Sequence, residues 1–306
     1  MAGQTFLTEA KSKHENSIAT QTGGMMGTML TAVRLLTFRS SRDELLALNH
    51  RHLVFGLFCT WMVGMGRWWE DPKANLLQHL GIGSAAYVFV LAFFLWLVLW
   101  PLTPVNWSFL NILIFVTLTS PPAILYAIPV RHGLTLQTAQ TVRIWFLAVV
   151  AGWRVALLVF YLRRGAGLAG FRWILAALFP LLLIVFVLTA LNLERVVFDF
   201  MGGIRASDRT VNDAAYGVLV LISMISMLAF LPLLASYVVL SVNSVIAKYG
   251  RRWGRFFYGL ALALAVFGVT LNVYGQTFFG VVLIGSSLVI VMTAMFRLKE
   301  RPDMAG

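Results

Sequence analysis

Thr141–Arg164, TVRIWFLAVVAGWRVALLVFYLRR, decides the fold. It is long enough to cross a bilayer, which takes about 20 mostly apolar residues, and it carries Arg154 near its middle. A guanidinium at the centre of a spanning helix costs about 2.5–3.5 kcal/mol on insertion scales, so groups inside the protein must receive it. Arg143 precedes Arg154 by close to three helical turns, and Tyr161 follows it by about two. Arg143, Val150, Arg154 and Tyr161 therefore share one stripe. Roughly opposite stand Ala148, Gly152 and Ala156, a small-xxx-small pattern that admits a neighbouring helix. Both faces are expected to meet protein, which would place this helix centrally in a bundle.

Composition generalises the reading. Of 306 residues 59% are hydrophobic and only 12% charged, with mean hydropathy +0.83. Soluble domains of this length do not have that balance. The apolar residues gather in runs of membrane length and not in short alternating segments, so the fold class is all-α, a polytopic transmembrane helix bundle. The net charge of +12 is not a nucleic-acid signature, because the basic residues flank apolar runs. A single cysteine, Cys59, excludes an intrachain disulfide.

Residues 1–23 are polar, without the apolar core or cleavage site of a signal peptide. Met25, Met26, Met29, Leu30, Val33 and Leu36 then recur at helical spacing with Arg34 on the other side. An amphipathic helix over 25–39 is expected, lying on the membrane surface or packed on the bundle. Eight spans are expected to follow: Leu53–Trp69, Leu80–Trp100, Phe109–Val130, Val142–Leu162, Leu168–Leu191, Tyr216–Val242, Phe256–Tyr274 and Thr277–Phe296. The last two form a hairpin turning at Tyr274-Gly275-Gln276. The first is short, and His50-Arg51-His52 crowd its start. This divides the chain into an N-terminal segment (1–44), a bundle (45–297) and a tail (298–306).

Charge sets the orientation. With eight spans and the N-terminus inside, 16 of the 24 Lys and Arg lie on inner segments and 7 on outer ones, Arg154 being the remaining one. If the first segment did not cross, the split would become 10 inside and 13 outside. The positive-inside rule favours eight crossings with both termini cytoplasmic, in a cytoplasmic (inner) membrane. No internal repeat is visible, so an inverted-repeat transporter has no support.

Two groups of residues carry potential chemistry. The first is Ser120-Pro121-Pro122 inside the third span. Proline lacks an N–H, so the carbonyls of Thr117 and Leu118 lose their helical donors. Ser120 as N-cap and Pro121 at the first position would split the span into Phe109–Thr119 and Pro121–Val130, with a half-helix N-terminus suited to an anion. The alternative is a kink repaired by the hydroxyls of Thr117, Thr119 and Ser120. At 1.5 Å per residue, Ser120 and Arg154 lie roughly 16 and 13 Å above the inner ends of consecutive antiparallel spans. Arg154 is therefore expected to reach the freed carbonyls, or to join the break in a positive pocket for a carboxylate, phosphate or lipid headgroup.

The second group is the outer rim: Arg67, Glu70 and Asp71 after the first span, Glu194, Arg195 and Asp199 after the fifth. Arg195 and Asp199 are an i,i+4 pair worth a few tenths of a kcal/mol. Glu194 is placed to meet Arg143. His50 and His52, two apart on a helix, point to different faces and make a poor metal pair, and no metal site is expected. No HExxH, GxSxG, Walker A or GxGxxG arrangement stands in a suitable context, and no cofactor is named by the sequence. Gly81-Ile82-Gly83-Ser84 and Gly285-Ser286-Ser287 read as helix contacts. The partners expected are the lipid bilayer and, with it, another membrane protein, but no nucleic acid. The leading reading is a non-catalytic membrane component or complex subunit. The second is a transporter or binding protein for a small anionic solute or lipid at Arg154, and an enzyme comes third.

Overall fold

The computed structural model describes residues 24–69, 75–130, 135–191, 193, 213–273 and 275–299. All regular structure among them is helical. In chain order the α-helices are α1 (Met25–Leu36), α2 (Arg42–Leu46), α3 (His50–Trp68), α4 (Leu76–His79), α5 (Ile82–Leu99), α6 (Phe109–Leu118), α7 (Leu136–Arg164), α8 (Phe171–Ala190), α9 (Asp213–Tyr249), α10 (Arg251–Val273) and α11 (Thr277–Lys299). Two 3-10 segments, Trp100–Leu102 and Pro121–Ala127, follow α5 and α6.

Six of these helices are long and apolar enough to cross a membrane, and α6 with the 3-10 segment after it makes a seventh, bent by 42°. The protein is therefore an all-α multi-pass membrane protein, with six to seven candidate spans among the described residues by length and apolarity. The difference from eight lies in α3. It forms as a 19-residue helix where the first span is expected, but His50, Arg51 and His52 at one end and Arg67 at the other dilute its apolar middle. Asn49 caps it, its side chain accepting from the Arg51 N–H. The hairpin of α10 and α11 turns at Gly275, as expected, with φ +81°, a conformation that suits glycine; Tyr274 lies outside the described residues.

The chain divides into two compact units. One comprises the described residues of Met1–Phe93 with Ser108–Pro129 and Ala148–Gly165. In it α3 is the hub. Gly56, Thr60, Val63 and Gly64 are buried on one of its faces. A Cβ on Gly56 would run into Thr117 of α6, and one on Gly64 would lie 2.8 Å from the Gly81 carbonyl and the Ser84 side chain. Gly81 and Ser84 are thus helix contacts, as expected, but Gly285 faces open space.

Helix α1 buries Thr28, Ala32 and Leu35, leaving Met25 and Met26 about four-fifths exposed. The packing expected as one alternative is present on one face, which lies on α3 and α6, and the apolar methionine face stays open. The chain leaving α1 is stapled to α7. Trp153 Nε1 donates to the Leu36 carbonyl at 3.1 Å, and Arg164 Nη1 to that of Ser40 at 3.2 Å. Arg34 pairs with Glu44 of α2.

The other unit comprises Phe94–Trp107, Val130–Leu147 and the described residues from Ala166 onward. Its α8 and α9 meet through stacked aromatics, Phe179 on Tyr237 at 4.1 Å and Phe186 on Phe230 at 3.9 Å. The Tyr237 hydroxyl donates to the Val98 carbonyl. Val238, Val242, Val245 and Ile246 of α9 form a core with Phe257 and Ala261 of α10 and Ile290 and Ala294 of α11. Trp100, Tyr249 and Trp253 cluster where α9 gives way to α10.

Candidate functional site

The break in the third span falls where Pro121 and Pro122 demand it, and its geometry leaves one carbonyl to a distant donor. Helix α6 ends at Leu118, and the Ser120 N–H bonds back to Thr117, rescuing one of the two carbonyls expected to be freed. The Ala123 N–H turns to Ser120 in 3-10 fashion. Thr119 thereby loses both natural donors, since Pro122 has none and that of Ala123 is engaged. Arg154 Nε donates to the Thr119 carbonyl at 3.3 Å. The arginine thus turns toward the third span, one residue beyond the carbonyls of Thr117 and Leu118.

Two expectations about the break are corrected. Ser120 is not an N-cap: its backbone is helical (φ −77°, ψ −32°), and its hydroxyl accepts from Thr60 Oγ1 at 2.7 Å. The segment beginning at Pro121 is a seven-residue 3-10 helix, too short and too poorly aligned to present an anion-binding N-terminus. The hydroxyls of Thr117 and Thr119 do not repair the kink either. They bond back to Ile114 and Val116, within the preceding turn. The repair comes from Arg154.

Arg67 is drawn to the same place. Its guanidinium lies over the ring of Tyr126, 4.9 Å from the centroid, and its Nε is buried with no hydrogen-bond partner. Tyr126 lies in the field of both Arg67 and Arg154, and Arg67 feels Arg154. Neither arginine has a carboxylate partner among the described residues. The site is therefore a pair of cations sharing an aromatic neighbour beside a kinked span. Val63, Ala123 and Val150 pack beneath Tyr126 as a small apolar core.

The remaining expected residues disperse. Tyr161 is buried and stacks on Phe115 at 4.3 Å, a packing contact. Arg143 belongs to the other unit. The rim residues Glu70, Asp71, Glu194, Arg195 and Asp199 lie outside the described residues. The small-residue face of α7 is corrected as well: Ala148, Gly152 and Ala156 are exposed, and a Cβ on Gly152 would meet nothing within 4 Å. That face is open, so α7 is not enclosed on both sides.

Sequence reasoning missed Tyr126 and the role of α3. The signal for α3 was present, because Gly56, Thr60 and Gly64 repeat the small-xxx-small spacing. Tyr126 carried none, being one aromatic among many. No protein-family model, curated protein or solved structure matches the chain.

Proposed function

We propose that this is a non-catalytic membrane protein that binds an anionic group, a carboxylate, phosphate or lipid headgroup, between Arg67 and Arg154. The observation that carries the reading is the buried Arg67 Nε without an acceptor, beside a second cation. A buried donor left unsatisfied costs about 1–3 kcal/mol, more when charged, and like charges repel. An anion at this point would offset both costs. A structural reading is favoured by the Arg154–Thr119 hydrogen bond and by the Arg67 guanidinium over Tyr126, but it leaves the Arg67 Nε without an acceptor. The positive-inside balance supports placement in a cytoplasmic membrane with both termini inside, and the open faces of α1 and α7 suit lipid or a membrane-protein partner.

The test is a thermal-stability titration of the detergent-solubilised protein with phosphate or succinate, against chloride at constant ionic strength. One of these anions should raise Tm saturably, and Arg67→Gln should remove the effect while remaining folded. Identical responses to chloride and both probes, in wild type and variant alike, would refute the reading.

A further inference from the structure

Trp153 and Arg154 stand side by side in α7, and each holds a backbone carbonyl that lacks a local donor. Arg154 takes that of Thr119, whose partner the prolines have removed. Trp153 takes that of Leu36, the last residue of α1, where the helix has no further N–H to offer. Consecutive helical residues point about 100° apart, so the two ties fix α7 against both rotation and sliding. A turn of α7 that frees one tie also shifts the other.

Residues 36–40 run as a strap along the same helix. The Phe38 ring lies 6.1 Å from that of Trp153 and meets Phe160 edge-on at 5.7 Å. Phe38 keeps φ at +59°, a left-handed conformation costly for a bulky residue, which the two ring contacts sustain. Arg164 closes the strap, donating from Nη1 to the Ser40 carbonyl while its guanidinium lies over Phe160. On its other side α1 packs on α3 and α6, burying Thr28, Ala32 and Leu35. Arg67 belongs to α3, and Thr119 caps the end of α6. Strap and helix together brace the element that carries Arg154 against the two that carry its neighbours in the site.

Resting on the anion-site reading above, we infer that Trp153 and Phe38 are positioning residues, which hold Arg154 at its distance from Arg67 without touching the ligand. The Thr119 bond uses only Nε of Arg154, which leaves the terminal nitrogens to an anion. A carboxylate or phosphate shared by two guanidinium groups needs both at a set spacing. Donors already gathered bind it more tightly than donors that must first be brought together. A strap that served packing alone would lower stability when lost and leave the affinity of the folded chain unchanged.

The experiment is isothermal titration of the detergent-solubilised protein with phosphate or succinate, with the ligand-free Tm measured alongside. Trp153→Phe keeps a ring and deletes the N–H, and Phe38→Ala removes the ring clamp. Each should weaken anion binding about fivefold, the effect of one lost hydrogen bond on the arrangement of the site. Phe38→Tyr, which keeps the ring, should bind as the wild type does. Arg34→Gln breaks the pair with Glu44 but leaves the strap on α7, and its affinity should not change. Wild-type affinity in both Trp153→Phe and Phe38→Ala, with only Tm lowered, would overturn the inference while leaving the anion site standing. So would an equal loss in Arg34→Gln. A wild type that binds neither anion would refute the site itself, and the positioning role with it.

Discussion

Arg67 and Arg154 have opposite relations to their surroundings, and that difference is measurable. Arg154 supplies a hydrogen bond that the Thr119 carbonyl lacks a local donor for. Arg154→Leu should therefore lower Tm, by the equivalent of about 1 kcal/mol. Arg67 has no acceptor for its buried Nε and no carboxylate partner among the described residues, and replacing a poorly compensated buried polar group by an apolar side chain is often neutral or stabilising. Arg67→Leu should leave Tm unchanged or raise it, while abolishing any anion response. Thermal unfolding of the two variants side by side checks this, and a lower Tm for Arg67→Leu than for Arg154→Leu would reverse the assignment. Gly56 makes a third case. A Cβ there would sit 2.7 Å from Thr117 Cβ, so Gly56→Ala should cost about 1–3 kcal/mol through overpacking. His52 brings in pH. Burial holds its imidazole below the ordinary 6.5, so the unfolded chain takes up the proton more readily. Its contribution to stability is present above about pH 6.5 and is lost as pH falls toward the depressed folded value. Tm should drop on going from pH 7.5 to 5.5, and His52→Gln should shrink the drop.

At the scale of elements, α1 is held by one face and open on the other. Thr28, Ala32 and Leu35 are buried, whereas Met25, Met26 and Met29 are exposed. An apolar face beside a set of spans belongs in the interface, where it adds affinity in proportion to its area. Met25→Glu with Met29→Glu should expose the segment to protease in reconstituted vesicles without preventing insertion of the bundle. Unchanged protection in the double variant would mean that packing on α3 and α6 alone retains it. Helix α3 shows why an element's existence and its relation to the membrane are separate questions. Its length and cap make it a helix, yet its terminal charges keep it below the apolarity of the other spans.

For the molecule as a whole, the remaining prediction is topology. Reporter fusions after Arg131 and Asp208 should report outside, and fusions after Arg164 and Arg252 inside, if α3 crosses and both termini are cytoplasmic. An outside signal from the N-terminus would remove α3 from the count of spans.

The all-α membrane class, the hairpin over 274–276 and the position of the break follow from sequence alone, because each rests on local chemistry. Apolar run length sets the spans, Gly275 permits the turn, and Pro121 and Pro122 delete donors wherever they stand. The same reasoning led to Arg154, since a mid-span charge must turn inward. What the sequence left undecided depends on which helices are neighbours. Whether Thr117, Leu118 or Thr119 receives Arg154 is set by how the 3-10 segment redistributes N–H groups, and whether Arg67 belongs to a solvated rim or to Arg154's surroundings is set by how α3 packs on α6. Likewise the glycine stripe of α3 is closed by a neighbour and that of α7 is open, though both have the same spacing. Periodicity states which residues share a face, and only the tertiary structure states what that face meets.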